Sequence, residues 1–172
     1  MAVAAGCVVA TLTADPSWAV QRPDPRPAAQ PAQLSAPARP SNSDLEVVRL
    51  DPDPAPPGGT TTVHAFVANL GPETTASPFT ITVVLPKGVT AQGPFFPTDC
   101  ADLGDGHVVR CTFGPGLKEG RSATALVPVL LSPDLQLGTL TGGSVSVFSP
   151  DDRNERNNRQ SFDIRVVETA AG

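Results

Sequence analysis

The sequence predicts an all-β chain, a single antiparallel β-sandwich of about seven strands preceded by a Pro-rich disordered segment. Three observations carry this. From Asp44 onward apolar residues recur at every second position. Clusters of Gly, Pro, Asp and Asn interrupt that alternation at short intervals, and no helical period is sustained for long. Short alternating runs punctuated by turn residues are the pattern of a sandwich.

Leu45–Leu50 reads as the first strand. Asp51–Gly59, with four prolines and two glycines, breaks it. Thr61–Asn69 alternates, placing Val63, Ala65 and Val67 on one face and Thr62, His64, Phe66 and Ala68 on the other. Asn69-Leu70-Gly71-Pro72 is a turn signal. Phe79–Leu85 sets Phe79, Ile81, Val83 and Leu85 on one face and ends at Pro86-Lys87-Gly88. His107–Phe113 turns Val109, Cys111 and Phe113 inward. Ala123–Leu131 keeps Ala123, Ala125, Val127, Val129 and Leu131 in register. Pro128, on the opposite face, cannot donate to a ladder, which predicts a bulge or an edge position for this strand. Thr139–Phe148 and Ser161–Val167 complete the set. The arrangement predicts an immunoglobulin-like sandwich over residues 44–168, present once because no internal repeat occurs, with 169–172 as a tail.

Composition narrows the function classes. The chain has 172 residues, 20 of them proline, no Tyr, and Trp18 as its one Trp. Residues 44–168 carry nine Lys+Arg against fifteen Asp+Glu. Nucleic-acid binding needs clustered cations, so no nucleic-acid partner is expected. Residues 20–43, rich in Pro, Ala and Gln, cannot bury enough surface to offset their ordering entropy. They predict a disordered, semi-stiff linker reaching roughly 70 Å at ~3.1 Å per residue.

Residues 1–19 read as a signal peptide. Ala2–Ala14 is an apolar run followed by Ser17-Trp18-Ala19, with small residues where a signal peptidase cuts. The run is too short to span a bilayer, so no membrane span is expected. No Lys or Arg precedes it, which departs from the usual leader. Val3-Ala4-Ala5-Gly6-Cys7 also resembles a lipobox, making Cys7 a candidate lipidation site. The remaining cysteines, Cys100 and Cys111, form an even pair in an exported chain and predict a disulfide. Their spacing fits neither a redox CxxC motif nor a zinc site.

The chain resembles the domain of unknown function eleven, an Ig-like extracellular repeat domain of bacterial and archaeal surface proteins. Its motifs here are Asp44-Leu45, Asp51-Pro52, Gly58-Gly59 and Val67-Ala68-Asn69-Leu70-Gly71-Pro72. They continue with Leu85-Pro86-Lys87-Gly88-Val89, Cys100 to Cys111-Thr112-Phe113-Gly114, Gly120-Arg121-Ser122-Ala123-Thr124, and the Asp/Asn-rich turn Asp151–Asn158. The resemblance covers about residues 44–167 and implies an extracellular structural, spacer or adhesive role. It names no ligand. The single copy and the less regular His64-Ala65-Phe66 depart from the family's pattern.

No constellation predicts catalysis. His64 and His107 are the two histidines, and no nucleophile elbow accompanies them. The paired carboxylates Asp51/Asp53, Asp102/Asp105 and Asp151/Asp152 lie in Pro- and Gly-rich turns, where Asp caps its own backbone. Glycan stacking has no Tyr or Trp to use after the leader. Asp151, Asp152, Asn154 and Asn157 offer hard oxygen ligands in one loop, a calcium candidate without EF-hand spacing. Against this stands a plain Asx-rich turn, and no metal or cofactor is expected. Phe66, Phe95 and Phe96 are the candidate interaction residues, because adjacent aromatics cannot both face one core. The expected function is a non-catalytic extracellular structural or adhesive module of a bacterium, meeting a protein or cell-envelope partner. The alternative is a small-ligand or glycan-binding surface lipoprotein domain.

Overall fold

The computed structural model describes residues 39–169. The expected leader, Cys7, most of the Pro-rich segment and the last three residues lie outside these. The described chain is an immunoglobulin-like sandwich of two antiparallel sheets. Its strands are β1 Leu45–Val48, β2 Thr60–Asn69, β3 Phe79–Val84, β4 Val89–Ala91, β5 Cys100–Asp102, β6 Val108–Phe113, β7 Ser122–Leu131, β8 Gly138–Phe148 and β9 Arg159–Val166. The sheets run β1-β2-β7-β4 and β5-β6-β3-β8-β9. Two strands exceed the seven expected: β4 and β5, each three residues long and too short to show a period.

The alternation folds as the pattern dictates. Val63, Ala65 and Val67 of β2, Val127 and Val129 of β7, and Ile81 and Val83 of β3 are fully buried between the sheets. Burial of each Val or Ile among them contributes about 1.5–3 kcal/mol. Phe79 and Phe113 pair across β3 and β6 with ring centroids 5.0 Å apart. In β8 the register slips between Leu140 and Gly143. A Cβ on Gly143 would lie 2.5 Å from the ring of its neighbour Phe162, so only glycine lets that ring lie flat against the backbone.

The expectation for the strand carrying Pro128 is corrected. β7 lies inside its sheet, between β2 and β4, and its pairing with β2 runs unbroken past Thr62↔Pro128. Pro128 is tolerated because its missing donor faces the β4 side. β4 stops at Ala91, opposite Val129, and the Pro128 carbonyl accepts from Gln92 N at 2.8 Å. A strand interior to the sheet thus has a local edge where its short neighbour ends.

The free edge of β9 is also closed. Asp51 Oδ1 accepts from Asp163 N at 3.0 Å. Ala55 N donates to the Arg165 carbonyl, and Val167 N donates to the Ala55 carbonyl, each at 3.1 Å. Arg49 Nη2 bridges Asp51 and Asp163. Asp51 therefore caps a distant strand rather than its own turn, which corrects the expectation from sequence.

Cys100 and Cys111 are joined by a disulfide and face each other across β5 and β6. Thr112 N donates to the Asp99 carbonyl beside them, so the cysteines occupy a non-hydrogen-bonded pair, where side chains approach most closely. Cys111 is fully buried and Cys100 packs against the core. The bond fastens a three-residue edge strand that its own pairing would hold poorly. Replacing Cys100 by Ser is expected to cost about 3 kcal/mol by loop-closure entropy. The check is thermal melting under non-reducing conditions, and an unchanged midpoint would refute the staple.

Candidate functional site

The Asp151–Asn157 loop holds the densest set of oxygen ligands. Asp151 is fully buried. Its Oδ2 accepts from Ala76 N and Ser77 N at 2.6 and 2.7 Å, and its Oδ1 accepts from Ser77 Oγ and Ser41 N at 2.9 and 3.1 Å. Asp152 Oδ2 accepts from Leu45 N and its Oδ1 from Asn154 N. Asn157 Nδ2 donates to Asp44 Oδ1 at 2.9 Å. These side chains bond the chain leading into β1, and each Asp151 oxygen already accepts two bonds. Among the described residues no group of three or more His, Cys, Asp or Glu is placed to hold a metal ion.

The same end of the sandwich holds a second buried polar group, at a position that reads from sequence as a turn. Asn69 Oδ1 accepts from Asp44 N and Gly71 N, and its Nδ2 donates to the Glu73 and Leu117 carbonyls. All four bonding positions of the carboxamide are used. Gly71 lies so close to the Ser43–Asp44 backbone that a Cβ there would collide with Asp44 N. Thr75 Oγ1 accepts from Gly116 N and Leu117 N. The N-x-G-P motif is thus a junction of three chain segments.

His64 is exposed on the outward face of β2, and His107 precedes β6. Among the described residues neither imidazole takes part in a hydrogen bond to a Ser, Cys or carboxylate side chain. Asp102 and Asp105 cap the amides of Gly104, Gly106 and His107 within their own turn, as the sequence suggests. β1 is much shorter than β2, which leaves a shallow depression of about 410 Å³ beside Thr60–His64, lined also by Leu50, Asp51 and Asp53.

The three phenylalanines part company. Phe95 packs against the core, Phe66 is half-buried, and Phe96 is 59% exposed. Phe96 exchanges both backbone hydrogen bonds with Leu126, which places their side chains together on the outward face of the four-stranded sheet. Leu126 in turn pairs with His64, and Phe66 pairs with Thr124 and Val48. The result is a diagonal of Val48, Phe66, Leu126 and Phe96. On this face of the four strands only Glu46 and His64 carry titratable groups.

No protein-family model matches the chain, and no curated protein matches it. Among solved structures, the CARDB domain of a Pyrococcus furiosus protein, in complex with di-metal ions, is similar at 20% identity and a TM-score of 0.46. It covers 75% of this chain and 97% of that one. The major pilin subunit of Bacillus cereus is similar at 11% identity and 0.49, over 74% and 40%. A chain of the complex between CaDoc0917 and CaCohA2 gives 11% and 0.41, over 72% and 99%. The fold itself is established by the two sheets described above.

Burial works to raise the Asp151 carboxyl, and the bonds from Ser77, Ser41 and Ala76 outweigh it, so the group is held below the usual Asp range. A lowered folded-state value stabilises the protein fully above the unfolded-state value, and that contribution is lost as pH falls through the folded one. The melting temperature is expected to fall steeply below about pH 4. Asp151→Asn is expected to lose about 3 kcal/mol at neutral pH, since its amide would face the Ala76, Ser77 or Ser41 donors. The variant should also lose less on acidification. Parallel melting curves of variant and parent from pH 7 downward would contradict this. Because the loop's carboxylates already serve the backbone, millimolar calcium is expected to leave the melt unmoved, and a rise of several degrees would show a bound ion.

Proposed function

We propose that this chain is an exported, non-catalytic interaction module, holding a protein or cell-envelope partner at a distance from its own anchor. The observation that carries the reading is the outward face of the four-stranded sheet. A polar, acidic domain leaves one sheet face almost without charge and places Phe96, Leu126 and Phe66 across it. Exposed apolar surface of this kind marks contact sites. Phe66 and Phe96 are the contact residues in this reading, and Phe95 serves the core.

The other features agree with it. A disulfide at a sheet edge suits an oxidising compartment and supports export. Among the described residues no helix is long and apolar enough to cross a membrane. The carboxylates of Asp51, Asp102, Asp105, Asp151 and Asp152 are engaged in fixing turns and strand ends, which supports a structural rather than an enzymatic role. The motif resemblance to the domain of unknown function eleven points to the same spacer or adhesive use. The depression beside His64 is where the small-ligand alternative would act. It is open, and no Phe lines it.

Binding of the purified protein to cell-envelope fractions of its own host provides the test. Phe96→Ala is expected to weaken binding about 5- to 30-fold, at about 1–2 kcal/mol per aromatic anchor, and Phe66→Ala with Phe96→Ala by more. The fold should be retained, since Phe96 is mostly exposed. Undiminished binding by a folded double variant would sink the proposed face.

A further inference from the structure

β1 is antiparallel to β2, and the turn at 70–78 brings the chain back from the end of β2 to the start of β3. β9 is parallel to β3 through β8. β1 and β9 therefore run in the same direction, as the parallel bridges Ser43↔Asp152 and Ala55↔Val166 also record. The described chain enters at the Asn69–Asp151 end and leaves at the opposite end.

The entering segment is bonded to the leaving one at both ends. At entry, Ser41 N donates to Asp151, Leu45 N to Asp152, Arg153 N to the Ser43 carbonyl, and Asn157 to Asp44. At exit, Asp163 N donates to Asp51, and Ala55 exchanges bonds with Arg165 and Val167. Two parallel segments pulled from opposite ends slide past one another, so these bonds share the load and must break together. A hairpin pulled from one end breaks its bonds one at a time.

We infer that the domain is a load-bearing link, and that the pairing of Ser41–Ala55 with Asp151–Val167 is its mechanical clamp. The inference rests on the reading of the chain as an extracellular spacer or adhesive module, and takes the load to enter along the segment before Ser41 and to leave along the segment after Val167. The disulfide, on the β5–β6 hairpin at the far edge of the five-stranded sheet, lies off the load path.

Single-molecule pulling of the full 172-residue chain tests this. Handles at the two chain ends load the clamp in shear. Handles at position 104 and the C-terminal end load the five-stranded sheet by peeling. Forced unfolding is governed by the unfolding rate, and the end-to-end geometry is expected to need at least about twice the peeling force. Asp152→Asn and Asn157→Ala are expected to lower the end-to-end force, whereas Cys100→Ser lowers thermal stability and leaves that force unchanged. Equal forces in the two geometries would overturn the clamp. So would variants at 152 and 157 that unfold at the parent's force, or a Cys100→Ser loss as large as theirs. Equal pulling forces together with envelope binding that still depends on Phe96 would remove this inference and leave the proposed function standing.

Discussion

The Asn69 side chain is the point from which the rest of the architecture is organised. β2 must end, cross from one sheet to the other and restart as β3, while the chain feeding β1 passes within contact of that crossing. Every backbone group left unpaired there would cost about as much as a lost hydrogen bond. One carboxamide answers two donors and two carbonyls, and Gly71 gives the passing Ser43–Asp44 backbone the room it needs. With that junction made, β1 is aligned on β2, the 72–78 segment is fixed, and Asp151 can reach Ser41, Ala76 and Ser77 together.

Asp151 shows how a buried carboxylate is held without a cation. No Lys or Arg pairs with it among the described residues; its charge is met by three backbone amides and a hydroxyl. Charge-assisted bonds of this kind are roughly twice as strong as neutral ones and hold their partners in a fixed direction.

Much of this fold was legible from alternation alone. Val63, Ala65 and Val67, or Ile81 and Val83, could face only one way, and they do. β4 and β5 escaped because three residues show no period. Pro128 misled because a proline reports which side of a strand lacks a partner, and says nothing of the other side. The Asp151–Asn157 loop was ambiguous for a chemical reason: oxygens that would suit a hard cation equally suit backbone amides, and the path of Ser41–Leu45, which brings the Ser41 and Leu45 amides to them, is not written in the local sequence. The exposed face was half visible, since adjacent Phe95 and Phe96 had to point apart, but which one faced outward depended on the pairing with Leu126.

The closing of the β9 edge has a further consequence. A sheet edge with free amides and carbonyls is a template on which a second molecule can polymerise. Here Asp51, set between Arg49 and Pro52, occupies one such amide, and Ala55 fills the next positions. Copies crowded at high density along this side meet a carboxylate and a run of prolines where a neighbouring strand would have to bind. The motif that turns the chain between its first two strands thereby also blocks strand addition along this edge.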